Sequence, residues 1–265
     1  MITRSLKLLI SAVVYLVTIP SCRRRKAAGQ CMILYYHAVT TAQIPSFSRQ
    51  MNELKRRATV ISATAPKLTR PGNRTVAVTF DDGFRSFRDH ALPVLTAAGI
   101  PSVVFVPSGN LGHPPAWEMK SGLDDAAEVI MRADELRMLP HELVSVGSHS
   151  VTHPRLPEIE APVALWELAD SKAALAAITG RSVELFSFPY GRWSPDLVER
   201  GRELGYRRMF TSEPVPLRGG EDSFLVGRVA VGPDDWPVEF RLKVLGAYRW
   251  VPAASRLKQR LRRRR

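Results

Sequence analysis

The chain has 265 residues, of which 45% are apolar and 24% charged, and it contains only two cysteines. These figures exclude an intrinsically disordered chain, a collagen-like repeat and a disulfide-bonded scaffold. The formal net charge of +13 lies in the two ends, because residues 1–26 contain six Lys or Arg, residues 256–265 contain seven, and neither contains an acid. The rest carries 25 basic and 25 acidic residues, so we expect no basic nucleic-acid groove in the globular part.

The first 29 residues are predicted to associate with a membrane surface. An apolar run at 8–19 is flanked by cations, with the densest cluster at 23–26. The run is shorter than the ~20 apolar residues that a membrane-spanning helix usually needs. We therefore expect this segment to lie on an anionic bilayer, helped by the basic tail at 253–265, on a side of the membrane that the pattern does not specify. For the C-terminal tail, a simple solvated end is the alternative.

Residues 30–252 are predicted to form a single α/β domain without internal repeats. Runs rich in Val, Ile, Phe and Tyr predict strands at 31–36, 76–80, 102–107, 143–147, 183–188, 206–211 and 224–231. Helical patterns fall at 46–58, before Gly99, around 124–139, at 162–179 and after Ser194. This alternation of strands and helices predicts a parallel sheet or a (β/α) barrel.

Polar residues follow four of the predicted strands at their carboxyl ends. They are His37, the pair Asp81 and Asp82, the histidines His149 and His153, and Tyr190 in a Pro-Tyr-Gly turn. Each alone is compatible with an ordinary turn or an exposed loop. Because functional sites of α/β barrels and sheets are built at this edge, their coincidence predicts a site there.

The residue types at this edge predict the hydrolysis of an amide or an ester. His149 and His153 are four residues apart, and with one carboxylate they would form an open site for a divalent metal ion. The other of the two adjacent aspartates would then take a proton from the attacking water. A backbone N–H in the turn at Tyr190 could stabilise the oxyanion, and His37 is the available acid for a leaving amine.

Three motifs, VTFDDG from residue 78, GSHSVTH from residue 147 and FSFPYG from residue 186, resemble the first three signatures of the polysaccharide deacetylases, carbohydrate esterase family four. The similarity extends over roughly residues 30–240. It implies a deformed, TIM-barrel-like (β/α) barrel and a divalent metal ion, commonly zinc. It further implies removal of N-acetyl groups from amino sugars of a polysaccharide or glycolipid. It assigns Asp81 as the base, Asp82, His149 and His153 as metal ligands, and the Tyr190 backbone to oxyanion binding.

Two departures from the family pattern point to its circularly permuted branch, which includes poly-β-1,6-N-acetylglucosamine deacetylases. No histidine follows His153, whereas most members carry a late acid histidine, and the early segment YYHAV resembles the permuted arrangement and places the acid at His37. The third motif often begins with an arginine that orients the base, where this chain has Ser187. Arg228 is predicted to reach the base instead, although a purely structural ion pair would fit its pattern equally. A non-catalytic glycan-binding protein and an O-acetyl esterase remain the alternative functions.

Overall fold

The protein is described by a computed structural model that covers residues 4–117 and 128–254, with the backbone only for 18–28. A ten-stranded sheet forms its centre. The strands are β1 Gln30–Tyr36, β2 Thr59–Val60, β3 Arg74–Phe80, β4 Ser102–Val106, β5 Val144–Ser148, β6 Leu185–Ser187, β7 Arg208–Phe210, β8 Leu217–Arg218, β9 Leu225–Val226 and β10 Val229–Ala230. The helices are α1 Arg4–Ala28, α2 Ile44–Arg57, α3 Leu92–Ala98, α4 Ala133–Arg137, α5 Ala161–Thr179, α6 Pro195–Glu203 and α7 Pro237–Val244.

The sheet curves into a nearly closed barrel, as the resemblance implied. Its main path runs β10-β1-β3-β4-β5-β6-β7-β9, and every neighbouring pair on that path is parallel. The two end strands, β9 and β10, are separated in the chain by only Gly227 and Arg228. The ends of the sheet therefore meet along one seam. Outside the path, β2 pairs parallel with β3 and β8 pairs antiparallel with β1.

Alternating side chains of the strands build two apolar layers. One cluster contains residues of seven strands, including Ile33, Ala77, Phe105 and Phe210, and it fills the barrel interior. The intervening residues of the same strands point outward and pack with the helices in a larger cluster. Strands that are buried on both faces read as continuous apolar runs, which explains why the sequence pattern located most of them.

One predicted strand is wrong. The run 224–231 forms two short strands at opposite ends of the sheet path, because the backbone is interrupted at Gly227 and Arg228. A Cβ on Gly227 would lie 2.3 Å from the carbonyl oxygen of Glu213, so the chain approaches another loop too closely for a regular strand there. The helical pattern around 124–139 yields a helix only at Ala133–Arg137, and residues 118–127 lie outside the described part.

Helix α1 packs along the barrel with one of its faces. Arg4 donates to Glu239 of α7 over 2.7 Å, and the Trp250 indole N–H donates to the buried Ser11 hydroxyl over 3.0 Å. Across residues 4–117 and 128–254, no helix combines the length and the hydropathy needed to cross a bilayer. The predicted basic C-terminal tail lies, from residue 255 onward, outside the described residues.

Candidate active site

The predicted polar residues meet at one end of the barrel. His37 follows β1, Asp81 and Asp82 follow β3, and His149 follows β5 directly. Tyr190 lies in a short 3₁₀ turn, Pro189–Gly191, just after β6. Because these strands are parallel, their carboxyl ends bring residues that are more than 100 positions apart into one cluster.

Asp82, His149 and His153 have the arrangement of a divalent metal site. Their ligand atoms all lie within 4.8 Å of one another, and all three residues are buried. The Nε2 atoms of the two histidines lie 3.5 and 3.4 Å from the same Asp82 oxygen. Ligand atoms bound tetrahedrally to a zinc ion at its usual bond lengths are about 3.4 Å apart, so the three residues fit such an ion.

Both histidines are in the protonation state that metal binding requires. Burial lowers the pKa of His149 to about 4 and the pKa of His153 to about 2, so both rings are neutral at neutral pH. His149 Nδ1 lies 2.7 Å from the carbonyl oxygen of Ser187, which can only accept a hydrogen bond. The proton of the neutral ring is therefore on Nδ1, and Nε2 keeps its lone pair toward Asp82.

Asp81 is held by Arg228 in a buried, bidentate ion pair. The two guanidinium Nη atoms donate to its two oxygens over 2.7 Å each, and Nη2 also donates to the Ser187 hydroxyl over 2.7 Å. Burial alone would raise the pKa of Asp81. The charge of Arg228, with a smaller effect from His149, outweighs the effect of burial and lowers this pKa to about 2. Asp81 is therefore ionised and fixed in orientation. Arg228 lies between β9 and β10, so the seam of the barrel admits its side chain to the interior.

Backbone strain concentrates at this end of the barrel. In the described part of the chain, the non-glycine residues with positive φ are Asp82, Ser150, His153 and Tyr190, with φ between 56° and 68°. Residues other than glycine rarely adopt this left-handed conformation. It persists where surrounding contacts hold the backbone in place, as they often do at functional sites. The left-handed turn at Asp82 separates the adjacent aspartates, so that Asp81 meets Arg228 while Asp82 meets the histidines.

The remaining predicted residues lie at the mouth of the site. His37 Nε2 is 3.9 Å from the second oxygen of Asp82, and the His37 side chain is 40% exposed. The Tyr190 ring makes an edge contact with the His153 ring, with centroids 4.7 Å apart. Trp117 stacks on His153 at 4.2 Å and was not predicted, since it belongs to an irregular segment after β4 where nothing in the local pattern singles it out.

Glu167 also escaped the sequence analysis. It lies in the middle of α5, and its buried carboxylate accepts hydrogen bonds from the backbone between the two histidines. A glutamate within a helix normally indicates a solvent-exposed position, so only the three-dimensional contacts reveal the role of Glu167.

Comparison with known proteins agrees with the fold and with the family resemblance. The sequence profile of the polysaccharide deacetylase family matches residues 69–209. The chain is 24% identical over 164 residues to YxkH of Bacillus subtilis (strain 168), whose name assigns it to the polysaccharide deacetylases. That match covers 62% of this chain, and the chain spans about half (54%) of the length of YxkH.

Solved structures share the same fold. IcaB from Ammonifex degensii superposes with a TM-score of 0.67 and 26% identity, over 82% of this chain and 97% of that one. The Streptococcus pyogenes deacetylase PplD, solved with acetate, gives a TM-score of 0.66 at 19% identity, over 82% and 99%. At that lower identity the likeness concerns the fold alone. Because the family profile covers more than half of the sequence, the chain belongs to the polysaccharide deacetylase family.

Proposed function

We propose that the protein is a metal-dependent hydrolase that removes N-acetyl groups from the amino sugars of a polysaccharide or glycolipid. The observation that carries this proposal is the buried cluster of Asp82, His149 and His153 beside the Asp81–Arg228 pair. Asp82 and the two histidines would hold the ion, and zinc is the proposed metal because two imidazoles and one carboxylate suit it. When bound, the ion supplies Lewis acidity toward the acetyl carbonyl and toward water.

Asp81 acts as the base in this proposal. Its carboxylate is ionised, lies next to the metal ligand Asp82 in the chain and is turned away from it by the left-handed backbone. Arg228 holds both Asp81 oxygens and so fixes the direction in which the carboxylate accepts a proton. The attacking water gives a proton to Asp81 while the water oxygen forms a bond to the acetyl carbon.

Tyr190 and His37 complete the reaction. The backbone N–H of Tyr190, in the strained turn beside His153, donates to the oxyanion that develops on the acetyl oxygen. His37 lies at the partly exposed mouth, where the sugar enters, and gives its proton to the departing nitrogen as the carbon–nitrogen bond breaks. The products are acetate and a free amine on the sugar. The position of His37 before the other site residues supports placement in the permuted branch of the family.

The test is acetate release from N-acetylglucosamine oligomers by the purified full-length chain. We expect release that stops after treatment with a chelator and returns when zinc is restored. Release from an O-acetylated glycan with none from N-acetylated oligomers would favour the esterase alternative. Binding of oligomers without release from either substrate would favour a non-catalytic glycan-binding protein.

We further propose that α1 holds the protein on an anionic membrane surface. Its outward face presents Leu6, Leu9, Val13, Leu16 and Val17, which are 45% to 73% exposed and recur every three or four residues. This spacing forms an apolar stripe along one side of a helix. The opposite side is occupied by Ser11 and by the apolar residues that pack on the barrel.

The charges around this stripe favour an anionic bilayer over a neutral surface. Lys7 lies near the start of the helix, and in the sequence the four cations at 23–26 follow the stripe and the seven at 256–265 follow Trp250. Each Lys or Arg near an anionic leaflet contributes about 1 kcal/mol, and burial of the apolar stripe adds to this. Deletion of α1 would also remove its contact with Trp250. Substitutions on the outer face of α1 therefore test the proposal more cleanly than deletion of the helix.

A further inference from the structure

Glu167 is a buried carboxylate that the proposed reaction does not use. It belongs to α5, is 2% exposed and lies beneath the loop that joins the two histidines of the site. The backbone N–H groups of Val151 and Thr152 donate to one of its oxygens over 2.6 and 2.9 Å. The hydroxyl of Thr152 donates to the other oxygen. Among the residues that the structure describes, no Lys, Arg or His forms an ion pair with Glu167.

The histidine loop needs such an anchor because its backbone is strained. Ser150 and His153 both have positive φ, and the loop turns sharply within five residues. On its other side, the Ser150 and Val151 carbonyls accept from the N–H groups of Ser108 and Gly109 over 3.1 and 2.9 Å. These contacts satisfy two carbonyl groups of the loop, whereas Glu167 accepts from two of its N–H groups, those of Val151 and Thr152. The loop is therefore bound from two directions, by the end of β4 and by α5.

We propose that Glu167 is a positioning residue for the metal site. By accepting three hydrogen bonds from residues 151 and 152, it holds the loop in the strained form that points His153 toward Asp82. This inference rests on the proposed function, since it concerns the ion of that site. A carboxylate suits the task because it only accepts hydrogen bonds, and all three converging groups are donors.

The Glu167→Gln variant tests this role with little change in shape. The amide has one accepting oxygen and one donating NH₂ group, so at least one of the three donors loses its partner. Replacing a group that orients a metal ligand typically lowers metal affinity by about 10–100-fold. We expect zinc, titrated into the metal-free full-length protein against a chromophoric chelator, to bind about 10–100-fold more weakly. The matched control is Asp170→Asn, the same chemical change at an exposed position of the same helix, which should bind zinc like the wild type.

Amide hydrogen exchange separates positioning from general stability. In the metal-free Glu167→Gln protein, exchange should accelerate at residues 150–153 while the strands of the barrel keep wild-type protection. If Glu167→Gln fails to fold, Glu167→Asp, which keeps the charge but is one methylene shorter, is measured in the same way. Zinc affinity within threefold of the wild type, with unchanged exchange in the loop, would overturn the proposal. A wild-type protein that binds no zinc would defeat the proposed function, whereas loop exchange would still decide the role of Glu167.

Discussion

The end of the barrel that carries the candidate active site and the outer face of α1 depart from ordinary burial in opposite directions. At the barrel end, ionisable side chains such as Asp82, His149 and His153 are almost fully buried. On α1, leucines and valines are exposed along five helical positions. Burying polar groups and exposing apolar ones both cost free energy unless a partner compensates. In our account that partner is a divalent ion in the first region and a bilayer in the second.

The two regions differ in how strongly the rest of the protein constrains them. The ionisable cluster is built from the ends of several strands. It is held in place by the bidentate pair between Asp81 and Arg228 and by the hydrogen bonds of Ser187. The stripe on α1 depends on one helix, and its residues could change without moving the barrel. We therefore expect substitutions at the barrel end to have large effects on chemistry and substitutions on α1 to have modest effects on location alone.

Removal of a metal ligand should have the largest effect. His153→Ala leaves only Asp82 and His149, and two ligands hold a divalent ion poorly. We expect zinc content by elemental analysis to fall from about one ion per chain to background, and acetate release to fall by at least about 10³-fold. The exposed His141→Ala serves as the control and should keep both. Full zinc occupancy in His153→Ala would exclude the proposed ligand set.

Asp81→Asn should separate the base from the metal ligands. The side chain keeps its size but can no longer accept a proton, so turnover should fall by about 10²–10⁴-fold. Zinc content should stay near the wild-type value because Asp82, His149 and His153 remain. Loss of zinc from this variant would mean that the roles of Asp81 and Asp82 are exchanged.

His37→Ala should produce a loss that depends on the leaving group. If His37 protonates the departing amine, deacetylation of an N-acetylated oligomer should slow by about 10²–10⁴-fold at unchanged zinc affinity. Hydrolysis of nitrophenyl acetate should slow much less, because its leaving group needs no proton. Equal losses on both substrates, together with a lower melting temperature, would show that His37 has a structural role at the end of β1 and is not the acid.

The smallest effect is expected on α1. The double substitution Leu9→Gln and Leu16→Gln replaces two exposed apolar side chains, and burial of each leucine is worth roughly 1.5–3 kcal/mol. Co-sedimentation with vesicles that contain phosphatidylglycerol should weaken by at least about tenfold, while acetate release from short oligomers is retained. Met138→Gln, which alters an exposed apolar residue far from α1 in sequence, is the control. Unchanged sedimentation of the double variant would place the membrane contact elsewhere.

Much of the site could be predicted because its residues follow buried strands. An apolar run such as the one at 76–80 fixes where a parallel strand ends, and Asp81 and Asp82 come immediately after it. The strand ends then bring distant motifs together without any further information. The apolar stripe of α1 was likewise contained in the local pattern, although which side faces the barrel was not.

The features that escaped prediction depend on contacts between distant parts of the chain. The run 224–231 has the composition of one strand, but the close approach of Gly227 to Glu213 divides it and lets Arg228 enter the barrel. The support of Glu167 for the histidine loop depends on how α5 packs against β5. The left-handed backbone at Asp82 is equally non-local, since the turn is held by contacts with other strand ends.

The central claim is that the buried cluster is a metal centre, and an anomalous-scattering map from zinc-soaked crystals tests it most directly. Our account predicts one strong peak at the zinc edge, within about 2.0–2.2 Å of an Asp82 oxygen and of one nitrogen each from His149 and His153. The Asp81 carboxylate should remain on Arg228 in the same crystals. A map with no peak among these three residues, from protein that still releases acetate, would contradict the account.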